Sequence, residues 1–288
     1  MAIRTSIGAA SRDPAQIGLI RRALARMQSV GDERGFDWFA SVHGLALPIW
    51  CEHGTPLFLP WHRAYLYFFE LALQTRLGPR FTPIEPQDPE LGEVGLPWWD
   101  WTSEDSHQDG IPAAYAVEEV DGDPNPLAAS TIGSCTGSDP LFVGVWSAQL
   151  VNAVRQQIPG AITDDGVPRT LRDPDQPDEL PRGATIEDIV LRQTTFGTFT
   201  TSLEQVHNDV HVWVGGSMAV VPTSAYDPIF WSHHAMIDRI WYLWQLSDLG
   251  MDPPPDTMNM VLAPFPMTVA QTVDIEALGY DYAVQLIA

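Results

Sequence analysis

Apolar positions recur every three or four residues in several stretches of this 288-residue chain, and those stretches begin with helix start signals. Ile17, Leu19, Ile20, Leu24 and Met27 follow Asp13-Pro14, so a first helix is expected there, ending at Gly31. Asp is a favoured N-cap and Pro a favoured first helical residue. A second helix is expected from about Asp32 to Leu47, with Phe36, Trp38, Phe39, Val42 and Leu45 around it and His43 near its end. After the irregular PIWCEHGTPLF, Pro60 is expected to open a third, PWHRAYLYFFELALQTRL. It is apolar around most of its circumference, so it belongs at the centre of a core. Between 78 and 185 proline, glycine and acidic residues are dense, and FVGVWSAQLVNAVRQQI (142–158) is the one long periodic segment. Short helices and loops wrapped round a core are expected there. Periodicity returns at Ile186 and continues through LEQVHNDVHVWVGG to YDPIFWSHHAMIDRIWYLWQ, where Asp227-Pro228 gives another clear start.

A hydrophobic share of 45% over 288 residues allows one large core, so residues 1–288 are expected to form a single domain with long loops. No run of about 18 apolar residues exists, so no membrane span is expected. The net charge of −22, from 37 acidic and 15 basic residues, repels phosphate backbones and argues against a nucleic-acid partner. The acidic residues gather at 85–93, 118–123 and 173–179, the pattern of a solvated surface. Two cysteines exclude a disulfide framework and leave open one bridge between Cys51 and Cys135. MAIRTSIGAASRDP lacks the basic and apolar regions of a signal peptide. A cytoplasmic location is the default expectation, although export alongside a helper protein would leave no trace in the sequence.

The histidines change the picture. His207 and His211 are four residues apart, on one face of a helix. His233 and His234 follow on the next helix, and only one of two consecutive residues, about 100° apart, can face a given ion. Six of the eight histidines fall into two sets: His43, His53 and His62, then His207, His211 and His234. Imidazoles gathered on buried, aromatic-rich helices are costly without a metal. The HExxH spacing of a zinc hydrolase is absent. Two sets of three neutral imidazoles suit a pair of copper ions, each with a face left open. Such a pair could hand one electron each to dioxygen, chemistry suited to attack on an electron-rich phenol ring. His107, in SEDSHQDG, is expected at the surface. Asp238, one turn beyond His234, and Arg63, next to His62, are expected to pair with each other or with backbone groups and so align the ligand helices. LPWWDW (96–101) is expected to be a packing cluster.

CEHGTPLFLPWHRAYLYFFE and HNDVHVWVGG…DPIFWSHHAMIDRIW resemble the copper-binding signatures of the tyrosinase, catechol oxidase and o-aminophenol oxidase family. The likeness covers about residues 35–75 and 195–247, and LPWWDW resembles another landmark of that family. It implies a mainly α fold, a four-helix bundle holding a type 3 dicopper centre and wrapped by long loops and short helices. It also implies His43, His53 and His62 as CuA ligands and His207, His211 and His234 as CuB ligands. The ligand is then the second histidine of HHxxxD, with His233 packing beside it. Cys51, two residues before His53, matches the cysteine that is joined to the histidine ring by a thioether in fungal tyrosinases and molluscan haemocyanins; a buried free thiol is the other reading. Asn208 matches a position that in some tyrosinases helps hold a water proposed to deprotonate the phenol. Glu204, one turn before His207, is the candidate carboxylate partner of that water, with a structural salt bridge as the alternative. Val221, thirteen residues before His234, matches the gate over the CuA side, where valine would leave the face open; ordinary core packing is the alternative.

The function so implied is oxidation of o-diphenols or o-aminophenols to quinones or quinone imines, with monophenol hydroxylation as an extension and dioxygen as co-substrate. The alternative is a haemocyanin-like oxygen carrier. About forty residues follow Gln245, too few for the covering domain of many relatives, so an uncovered pocket and a tail packed on the bundle are expected. Copper loading could still need a separate helper protein, and the sequence carries no sign of oligomeric state.

Overall fold

Capping side chains mark five of the helix starts in the computed structural model, which describes residues 1–44, 50–133, 156, 158, 160–161 and 167–283. A strand β1 (Ala2–Arg4) and a helix α1 (Ile7–Ser11), neither expected, come first. In α2 (Pro14–Gln28) the Asp13 carboxylate accepts the Ala15 N–H at 2.9 Å, and Ile17, Ile20, Ala23, Leu24 and Met27 are buried. This helix stops before Gly31, because the Ser29 N–H and hydroxyl both bond back to the Arg26 carbonyl.

Helix α3 (Phe36–Val42) starts four residues later than expected. Residues 32–35 are used in a turn: Asp32 accepts the Arg34 N–H with its side chain and the Gly35 N–H with its carbonyl. Gly35 has no alternative there, since a Cβ would lie 1.9 Å from the Val30 carbonyl oxygen. His43 follows α3 as its C-cap. Helix α4 (Phe58–Leu73) starts two residues before Pro60, which still lies in the first turn, where no intrahelical N–H bond is lost. It ends at Leu73 rather than Leu77, because Thr75 takes a left-handed φ of 57°. All of its residues but Tyr67 are buried.

The middle of the chain carries α5 (Glu104–Asp109), α6 (Ala113–Ala116) and a two-stranded antiparallel ribbon, β2 (Glu119–Val120) with β3 (Asp123–Pro124). The helix expected over 142–158 lies outside the described residues except Gln156 and Ile158. Then come α7 (Gly183–Arg192), α8 (Phe196–Val214), the single turn α9 (Val221–Ser224) and α10 (Pro228–Gln245). Asp227 caps α10 through the Ile229 N–H at 3.1 Å and also receives the Arg172 guanidinium at 2.9 and 3.0 Å. Helices α4 and α10 pack together, with α2 against α4 and α8 against both. These four long helices form the bundle. No helix among the described residues is long and apolar enough to cross a membrane.

Trp98, Trp99 and Trp101 are buried, and the Trp99 N–H reaches the Ser232 carbonyl on α10 at 3.0 Å, so LPWWDW packs as expected. His107 does not match its expectation. Ser103 caps α5 and turns the supposed loop into a helix, leaving His107 half-buried with its Nε2 3.2 Å from the Pro181 carbonyl. Residues of the acidic loops, among them Glu85, Glu90, Glu118, Asp121, Asp175 and Asp178, are exposed.

Strand β4 (Tyr280–Tyr282) pairs in parallel with β1, so this part of the tail closes on the bundle. The expected Arg63–Asp238 pair forms at 2.5 Å. It belongs to a larger buried group: Arg4 bonds Asp238 at 3.0 Å and Glu70 at 2.8 Å, and the Tyr280 and Tyr282 hydroxyls donate to Asp238 at 2.8 and 2.6 Å. Two guanidinium groups against two carboxylates leave the group neutral, which makes its burial tolerable.

Candidate metal centre

The bundle brings together histidines that are far apart in sequence. His62 lies in the first turns of α4, His207 and His211 one turn apart on α8, and His234 on α10; His43 caps α3 and His53 stands in the loop before α4. His62 and His234 stack at 4.7 Å between ring centres. His53 is 5.4 Å from His43 and 5.2 Å from His62, and His207 is 4.5 Å from His211. One ligand nitrogen each from His43, His62 and His234 lies within 4.8 Å of the others; the same holds for His207, His211, His233 and His234.

Main-chain carbonyls decide which ring nitrogen faces inward. The Nδ1–H of His62 donates to the Phe58 carbonyl at 2.8 Å, that of His211 to Met218 at 2.8 Å, and that of His43 to Val221 at 3.2 Å. A carbonyl only accepts, so Nδ1 holds the proton and Nε2 points a lone pair into the cluster. The Nε2 atoms of His207 and His211 each lie 3.2 Å from that of His234. Two nitrogens bound at about 2 Å to one ion lie about 3.3 Å apart at a tetrahedral angle. The Nε2 atoms of His43 and His62 are buried without a hydrogen-bond partner. Burial, and then repulsion from neighbouring rings, holds His43, His62, His207 and His234 well below the usual imidazole range. Burial lowers His53 as well and takes His211 to about 4. All six are therefore neutral at pH 7 and fit metal ions that take nitrogen donors.

A family model described as the common central domain of tyrosinase matches residues 33–247. The chain belongs to the tyrosinase family. The tyrosinase of Streptomyces lincolnensis is 33% identical over 208 residues, covering 67% of this chain and 64% of that protein. Hemocyanin G-type, units Oda to Odg, of Enteroctopus dofleini is 28% identical over 304 residues, covering 94% of this chain but 9% of that protein. A functional unit of octopus hemocyanin shares the fold with a TM-score of 0.70 at 24% identity, over 98% of this chain and 68% of that one. As a member of this family the chain is a type 3 copper protein.

In this tyrosinase-family chain a cavity of about 350 Å³ opens over His43, His53, His207 and His211. Val221 lines it and is 47% exposed, and its carbonyl holds His43. The Glu204 carboxylate also lines the cavity and accepts the Gly54 N–H at 2.7 Å; no ion pair reaches it among the described residues. Burial raises its pKa, with the Gly54 N–H opposing. Asn208 is exposed, and its side-chain oxygen, 3.1 Å from His207 Nδ1, orients that ring. The sulfur of Cys51 lies within 4.8 Å of a ligand nitrogen of both His43 and His53, and burial pushes its thiol up to about 12. Cys135 lies outside the described residues, and with it the bridge left open from sequence.

His233 is fully buried and stacks on His207 at 5.2 Å, and its ring belongs to the four-histidine cluster. It tucks beside His207, while the 3.2 Å approaches belong to His234. The carbonyls of Phe58, Met218 and Val221 that orient the rings were missed from sequence, because a main-chain acceptor leaves no residue signature.

Proposed function

We propose that the chain is a dicopper oxidase that converts o-diphenols and o-aminophenols to o-quinones and quinone imines. His43, His53 and His62 would hold one ion, and His207, His211 and His234 the other. The copper pair, when bound, supplies the redox chemistry between dioxygen and the ring. The open cavity of about 350 Å³ above four of these histidines carries the reading, because it admits a small ring beside the ligands. A haemocyanin-like carrier would screen the same histidines from substrate. Aerobic turnover of a monophenol, a catechol and an o-aminophenol by copper-loaded protein tests the proposal. Oxygen uptake with the catechol and the aminophenol is expected; reversible oxygen binding with both left untouched would overturn it.

The residues around the ligands have distinct tasks in this reading. Phe58, Met218 and Val221 carbonyls and the Asn208 amide hold the rings, and the Val221 side chain sets the width of the mouth. Glu204 and Asn208 would hold a water that takes the proton of an incoming monophenol. Glu204→Gln is then expected to lower monophenol turnover about tenfold or more beyond its effect on diphenol turnover. Equal losses on the two substrates would contradict that role. A Cys51–His53 thioether would stiffen the one ligand carried on a loop. It predicts an intact mass two hydrogens below that of the sequence; a full mass with Cys51 alkylatable after denaturation would remove it.

A further inference from the structure

The walls of the cavity have a chemical character that its histidine floor does not account for. At the mouth stand Val212, 64% exposed, and Val221, with Met218 and Ala219 in the same lining. Aliphatic side chains this open gain from being covered by an apolar part of a ligand. Among the described residues no lysine or arginine lines the cavity, and Glu204 is its only acidic side chain. Arg4, Arg63 and Arg172, which could have supplied positive charge to the bundle, are paired with Glu70, Asp238 and Asp227. The chain as a whole carries −22, so its field has the same sign as Glu204. The metal ions attract any anion and do not set one ring substituent against another, so selection by substituent falls to the walls.

We propose that the cavity takes single phenolic rings whose far substituent is uncharged or an ammonium group and discriminates against those bearing a carboxylate, with Val212, Val221 and Glu204 setting the preference. This rests on the oxidase reading. A carboxylate held against two valines would lose water without gaining a cation. An alkyl group there buries apolar surface, and an ammonium group is drawn by Glu204 and the surrounding field.

Three catechols that differ only opposite the ring hydroxyls provide the test: 4-methylcatechol, 3,4-dihydroxyphenylethylamine and 3,4-dihydroxyphenylacetate. With copper-loaded protein at low ionic strength, kcat/KM for the amine is expected to exceed that for the acid by at least about tenfold, mainly through KM. The ratio should narrow as salt is added. Calorimetric binding of the same three compounds under nitrogen should give the same ranking without turnover. Val212→Arg should lower the amine-to-acid ratio at least about tenfold, whereas Leu191→Arg, on α7 outside the cavity lining, should not. The acid serving as well as the amine, or equal effects of the two arginine variants, would overturn the assignment to these walls. If 4-methylcatechol is not oxidised, the oxidase reading fails separately, and the anaerobic ranking still decides the charge preference.

Discussion

His234→Ala is expected to lower copper content from two ions per chain to one or fewer and to abolish oxygen uptake with catechol. His234 is the only residue shared by the two bundle clusters, with His43 and His62 on one side and His207 and His211 on the other. Its Nε2 makes both 3.2 Å approaches to the α8 histidines, and its ring stacks on His62 at 4.7 Å. Loss of a residue that merely supports a ligand weakens metal binding about 10- to 100-fold, so loss of the ligand itself should exceed that. Activity should fall by at least about a thousandfold, since the wall and supporting residues cannot replace the metal. His233→Ala, one residue earlier, should keep both ions. Metal analysis of the two variants decides the matter: copper lost from the His233 variant and kept by the His234 variant would reverse the ligand assignment.

Asp238→Ala is expected to destabilise the fold by about 3–5 kcal/mol, because it leaves Arg4 and Arg63 buried beside an absent partner. Both guanidinium groups are fully enclosed, so water cannot replace the carboxylate. Chemical denaturation should show a lower midpoint, and thermal unfolding should move down by roughly 10 °C. Burial by itself would raise the Asp238 carboxyl, but Arg63, Arg4 and the Tyr282 hydroxyl outweigh it and leave the group below its ordinary value. A depressed carboxyl stabilises the fold above its unfolded pKa and loses that effect as pH falls through the folded one. The wild type should therefore keep this contribution down to about pH 4 and lose it only in stronger acid. An unchanged midpoint in the variant at neutral pH would show that the network contributes little.

The metal histidines were legible because helical spacing is periodic and polar groups in apolar helices stand out: His207 and His211 at four residues, and His62 and His234 inside aromatic runs. Asp13-Pro14 and Asp227-Pro228 marked their helix starts correctly, since a capping side chain acts on neighbours two residues away. Boundaries set by tertiary or turn geometry were not legible. Asp32 was expected to open a helix but folds into a turn that ends at Gly35, and Thr75 ends α4 through a backbone angle. Nothing local distinguishes Arg4 from a surface charge, because its partners Glu70 and Asp238 lie far away in sequence. His107 was misread for a related reason: Ser103 capped a helix inside an acidic segment that looked like a loop.

The parallel pairing of β1 with β4 also bears on when the protein can finish folding during synthesis. Residues 2–4 are made long before their strand partner, residues 280–282, so the contact closes a loop of nearly the whole described chain. Until that late segment is released, Asp238 lacks the two tyrosine hydroxyls that complete its shell. Contacts this distant form slowly. The shell around Asp238, between the helices bearing His62 and His234, is therefore completed only after residues 280–282 have been made.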